Sequence, residues 1–145
     1  FVQLTGDDNR LHVDEKFAST TQFKKPVVHG MLGASFISTI IGTKLPGDGA
    51  LWFSQSLEFL LPVRIGDALN VIAEVIKKND KEQIIELKTD IHNQNRQKVT
   101  NGTAKVKVIA AHARHNCVVC LRLHGVFKVG YFAPPNHIIQ QSVVV

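Results

Sequence analysis

Cysteine is nearly absent. The 145 residues hold two, Cys117 and Cys120, too few and too closely spaced to staple a small secreted fold. Long hydrophobic runs are missing as well. The longest apolar-rich stretch, residues 31–41, is broken by Gly33, Ser35, Ser38 and Thr39. It falls short of the ~18–20 residues that a membrane span requires, so it reads as a core helix. No basic-then-apolar leader opens the chain, which starts at Phe1. The expectation is a cytoplasmic protein, or one of an organelle such as the mitochondrion or peroxisome, with its N-terminus cut. Acid is lacking at one end only: all twelve acidic residues lie in 1–109, beside fourteen Lys and Arg, whereas 110–145 carry Arg114, Arg122, Lys128 and no acid. A net charge of +5 is compatible with a phosphorylated ligand or nucleic acid, but at this magnitude it reads first as a solvated basic surface.

What is present is an ordinary globular balance, 44% hydrophobic and 20% charged, which excludes a disordered, collagenous or disulfide-scaffold chain. The length suits one domain. Residues 1–30 are polar and loop-like. Met31, Leu32, Ala34, Phe36 and Ile40 fit a mostly buried helix over 31–42, stopped by Gly42 and Pro46. The periodicity then changes. Strands are expected over 50–61, 69–77, 83–92 and 99–109, with Leu69, Val71, Ala73 and Val75 on one face and Ala104, Val106 and Val108 alternating with Thr103, Lys105 and Lys107. One long helix followed by a strand meander points to an α+β sheet around a buried helix. Beyond it, 110–114 has helical composition, 117–129 has strand character, and Pro134-Pro135 ends any continuation.

Two polar constellations stand out. In Gly6-Asp7-Asp8-Asn9-Arg10-Leu11-His12 an acid and a histidine five residues apart can converge on one small molecule such as water, the carboxylate accepting a proton and the imidazole shuttling one. By spacing alone the same string reads as a turn with a surface histidine. Val28-His29-Gly30-Met31 precedes the helix, whose unpaired N–H groups could polarise a carbonyl. By itself Gly30 equally permits tight helix packing.

Taken together, Thr5-Gly6-Asp7-x-Asn9-x-Leu11-His12, Phe17-Ala18 and Pro26-x-Val28-His29-Gly30-Met31-Leu32 resemble the MaoC-like, (R)-specific enoyl-CoA hydratases. The resemblance runs on through Leu45-Pro46-Gly47, Gln55-Ser56-Leu57-x-Phe59 and Pro62-Val63-x-Ile65-Gly66-Asp67. It implies a hot-dog fold, an antiparallel sheet wrapped around a central helix, in an N-terminally truncated domain over residues 1–109. Residues 110–145 would be a basic extension of unknown role. It further implies that Asp7 and His12 are the catalytic pair, that the Gly30 N–H is the oxyanion donor, and that Asn9 braces the loop. Ser38 would lie near the active site and Ile41 would line the acyl pocket. The substrate would be an acyl-CoA or acyl-ACP thioester, with neither metal nor organic cofactor, no nucleic-acid or membrane partner, and a homodimeric assembly. Where the family usually has proline this chain has Arg10, a change expected to loosen the loop.

Three other readings share these residues. The reverse reaction, dehydration of a 3-hydroxyacyl group on acyl carrier protein, uses the same groups. A thioesterase would not explain the Asp7/His12 pair. A non-catalytic acyl-thioester-binding domain is the remaining one. In the tail, His115, Cys117, Cys120 and His124 have zinc-ligand composition, but zinc sites usually set their ligand pairs a dozen or more residues apart. Buried thiols on a strand are the expectation there.

Overall fold

The computed structural model describes residues 1–109 and 137–145. The period-two stretches form β1 (Ala50–Phe59), β2 (Ala68–Asn79), β3 (Ile84–His92) and β4 (Lys98–Val108), each end within two residues of its expected place. All pair antiparallel, and a fifth strand, β5 (Ile138–Val144), completes the order β1-β4-β3-β2-β5. The sheet thus takes an edge strand from beyond residue 109. Gln140, Gln141 and Ser142 dilute the apolar alternation of that strand, which is why its period is weak in the sequence. The stretches 110–114 and 117–129 and the four zinc-like residues lie outside the described residues.

Alternation decides which face is buried. Leu69, Val71, Ala73 and Val75 of β2, Ile85, Leu87 and Ile91 of β3, and Ala104 and Val106 of β4 turn inward. Against them lies the 14-residue helix α4 (Gly30–Thr43), through Ile37, Ile40 and Ile41. Register shifts at Ile91/His92 let Val99 and Thr100 both face inward, against strict alternation. Each fully buried aliphatic side chain contributes roughly 1.5–3 kcal/mol of transfer free energy, so this seam dominates the cohesion of the domain. No helix of the described residues is long and apolar enough to cross a membrane.

Residues 1–30 are less loop-like than expected. Three short helices stand there: α1 (Val2–Thr5), α2 (Arg10–Val13) and α3 (Glu15–Thr20). Their cause is local capping. The Asn9 side chain accepts the Leu11 N–H, and the Asp14 side chain accepts the Phe17 N–H at 2.9 Å. Helices of one turn bury too little to show an apolar period.

Gly102 in β4 tests the packing beneath the sheet. A Cβ there would press into the Ser56 carbonyl oxygen and come within 2.8 Å of Gln55 Nε2. Gly102→Ala is expected to destabilise by about 1–3 kcal/mol in urea unfolding, the cost of overpacking. Gly42→Ala, on the exposed side of α4 with nothing within 4 Å, is expected to hold or raise stability.

Candidate active site

The site grows from a one-turn helix, a glycine and a carbonyl. Gly6 ends α1 in the left-handed region (φ 75°), turning the chain so that Asp7 follows. The Asp7 carboxylate accepts the Asn9 N–H at 3.3 Å, and Asn9 in turn starts α2, on which His12 stands. The His12 ring donates Nδ1–H to the Val27 carbonyl at 2.6 Å. A carbonyl can only accept, so the neutral ring carries its proton on Nδ1 and keeps the Nε2 lone pair. His29, buried at 8% exposure, donates Nε2–H to the Asp7 carbonyl at 2.9 Å. Its ring stacks on that of His12 with centroids 3.8 Å apart. The Asp7 carboxylate lies 3.7 Å from His29 Nε2.

Asp7, His12 and His29 therefore bring donor atoms within 4.8 Å of one another. Such a set has metal-ligand chemistry, although one nitrogen of each ring is already committed to a backbone carbonyl. Directly after His29, α4 begins at Gly30 with no side-chain cap. Its first N–H groups lack intrahelical partners and carry the positive end of the helix dipole. A Cβ at Gly30 would sit 2.7 Å from the Phe59 ring, so glycine is what lets the aromatic lie against the helix start.

These groups border a cavity of about 660 Å³ lined by Asp7, His12, His29, Gly30 and Gly33 together with Phe59, Leu61, Leu69, Ile91 and Val99. Its polar side chains Asp7, His12 and His29 cluster together, and much of the remaining lining is apolar. Asn9 is exposed and holds the loop through its cap. Ser38 is exposed on α4, and Ile41 is buried in the core at 1% exposure; neither lines the cavity. Helical rise is the reason: Ser38 and Ile41 lie roughly 12 and 16 Å along the axis from Gly30. Asp8 is exposed, with its N–H on the Gly6 carbonyl. His29 belongs to the cluster although the sequence offered it only as part of a string, because a buried histidine ahead of a helix has no periodicity to betray it.

Arg10 is anchored within the loop. It is the first residue of α2, where proline would also fit. Its guanidinium donates to the Asp14 carboxylate from Nε (3.1 Å) and Nη2 (3.0 Å) and lies 4.6 Å over the Phe17 ring.

Known proteins share this arrangement of chain. The MaoC-like domain family matches residues 1–109. The (R)-specific enoyl-CoA hydratase of Aeromonas caviae is 43% identical over 108 residues, which cover 74% of this chain and 81% of that protein. The (R)-specific enoyl-CoA hydratase of Rhodospirillum rubrum is 44% identical over 89 residues, covering 61% of this chain and 62% of that one. The solved (R)-hydratase of A. caviae superposes with a TM-score of 0.71 at 42% identity, covering 74% of this chain and 82% of the other. The five-stranded antiparallel sheet and its helix are the hot-dog fold.

The Phe17 N–H, followed by the Arg10 guanidinium, holds the Asp14 carboxyl below the usual carboxylate range. A depressed folded value means that the stabilisation is complete above the ordinary carboxylate range and disappears as pH falls through the depressed one. The stability gap between wild type and Asp14→Asn is therefore expected at neutral pH and should close in acid. Thermal unfolding of both proteins across that range measures it; a gap that widens in acid would contradict the sign.

Proposed function

The chain belongs to the MaoC-like domain family, and on that premise we propose that it is an (R)-specific enoyl-CoA hydratase, a hydro-lyase that adds water to trans-2-enoyl-CoA to give (3R)-3-hydroxyacyl-CoA. The observation that carries the reading is the meeting of Asp7 and His12 in the lining of a largely apolar cavity, beside the uncapped start of α4. Hydration of an enoyl thioester needs an activated water, a proton for carbon 2 and a place for charge on the thioester oxygen.

In this mechanism the water lies between the Asp7 carboxylate and the His12 Nε2 lone pair. As its oxygen bonds to carbon 3, one of its protons passes to the acid/base pair. The carbon 2–carbon 3 π electrons move toward the thioester, placing negative charge on the carbonyl oxygen. The Gly30 N–H, at the positive end of α4, donates to that oxygen. A proton from the same pair then reaches carbon 2, on the face that received the hydroxyl. The elements of water are all accounted for, and no metal or organic cofactor takes part. The apolar wall of Phe59, Leu69 and Val99 takes the acyl chain.

A homodimer forms part of the proposal. Leu51 and Phe53 of edge strand β1 and Leu60 and Leu61 after it are 42–52% exposed, an apolar surface that a second copy would cover. Light scattering is expected to give twice the 16.0 kDa of the chain; a monomer would remove this part.

The central test is turnover. Purified protein treated with chelator is expected to consume the conjugated enoyl thioester and yield the (3R) product. An (S) product, or free coenzyme A instead, would overturn the assignment. Asp7→Asn is expected to lower kcat by about 10²–10⁴, the usual worth of a positioned acid/base, while Asp8→Asn changes little. The reverse pattern would shift the reacting carboxylate to Asp8 and take the roles of His12 and Gly30 with it.

A further inference from the structure

Arg64, in the connection between β1 and β2, reaches back across the fold to a segment about forty residues earlier. Its Nη1 donates to the carbonyls of Lys25 (2.5 Å) and Pro26 (3.0 Å), and its Nη2 to that of Phe23 (2.8 Å). Three carbonyls converge on one cation because Lys24 sits at φ 63° and reverses the chain between them. The main chain beside Arg64 is itself pinned: its N–H meets Asp67 Oδ2 at 2.7 Å, and Asp67 Oδ1 accepts from Gln94 at 2.8 Å. Two residues beyond Pro26 and one before Arg64, the Val28 N–H meets the Val63 carbonyl at 2.8 Å.

Between these anchors lies Val27, whose carbonyl accepts Nδ1–H of His12 and whose N–H meets the Leu11 carbonyl at 3.2 Å. We propose that Arg64 is a positioning residue for the reaction: by clamping the carbonyls of Phe23, Lys25 and Pro26 it fixes the direction of the Val27 carbonyl, and through it the tautomer and orientation of His12. The proposal rests on the reading of His12 as part of the water-activating pair. A planar guanidinium suits the task, since its fork of donors serves several acceptors at set angles and stays charged at any working pH. An ammonium carries a point charge and cannot span the same three carbonyls.

Released from Arg64, the carbonyl of Val27 would wander, and the neutral His12 ring would populate both tautomers. The form with its proton on Nε2 has no lone pair for the water. Turnover should fall while substrate binding, which depends on the apolar wall and Gly30, stays.

Two measurements on full-length Arg64→Met and Arg64→Lys test this. With crotonyl-CoA, Arg64→Met is expected to lose about 10²-fold in kcat, the scale of a small misplacement of a reacting group, with KM within about twofold. Arg64→Lys should fall between it and wild type. In ¹⁵N spectra of the imidazoles, wild-type His12 should show an unprotonated Nε2, and Arg64→Met should move that signal toward the value averaged between tautomers. Unchanged kcat, or a loss of kcat with the His12 signal fixed in its wild-type position, would overturn the proposal; the second result would mark Arg64 as merely structural. His12→Ala separates the two readings. Full turnover in that variant would overturn the catalytic role of His12, whereas the tautomer signal reports on Arg64 independently of turnover.

Discussion

A single carbonyl decides which nitrogen of His12 keeps its lone pair. Val27 accepts His12 Nδ1–H at 2.6 Å, a short bond for an imidazole nitrogen. Without it, the two tautomers of a neutral imidazole differ little in free energy, and much of the population would present the wrong nitrogen. With it, one form is selected before any substrate arrives, and the cost of that ordering is met by folding. The same residue also ties α2 to the rest of the chain through its own N–H. Three residues later stands Gly30, so whatever fixes Val27 also fixes the first N–H of α4 relative to the imidazole. The His12 ring and the Gly30 N–H are thereby referred to one short stretch of backbone.

α4 makes that stretch rigid. Its far half is anchored by Ile37, Ile40 and Ile41 against the inner faces of the strands. Close-packed interiors deform little, so the helix cannot slide along its axis without opening voids. Its near end carries Gly30, against which the Phe59 ring lies, and Gly33, and both border the cavity. One helix thus divides its length: aliphatic where it meets the sheet, glycine where it borders the cavity.

That division explains what could be read from the residues. Alternation in β2 and β4 was plain because one face meets α4 and the other meets water, and the helix itself stood out by its unbroken apolar content. The string around Asp7, His12 and Gly30 was legible as a whole, since several short motifs kept their order and spacing. Position along the helix was not. Ser38 and Ile41 share α4 with Gly30, but a sequence carries no ruler for where a cavity ends and a core begins. β5 was hidden by its glutamines, and α1 to α3 by their brevity. Arg64 and His29 escaped for a different reason: each acts on main-chain carbonyls distant in sequence, and a carbonyl leaves no mark in the amino-acid code.

Hydrogen-bond satisfaction separates two aspartates that look alike in the sequence. Asp7 and Asp14 both precede a short helix, and both stand beside a basic or imidazole side chain. Asp14 is saturated: the Phe17 N–H takes one oxygen, and two guanidinium N–H groups take the other, all within 3.1 Å. Its lone pairs are committed, and its work is to hold α3 to α2. Asp7 keeps one 3.3 Å bond from the Asn9 N–H and a 3.7 Å approach from His29, and its side chain is half exposed at the cavity. The helix that Asp7 would otherwise cap is capped by Asn9 instead. A carboxylate relieved of structural duty by its neighbour retains the acceptor capacity that a water needs. Asn9, by taking over the cap, is what leaves the Asp7 carboxylate with spare acceptor capacity at the cavity.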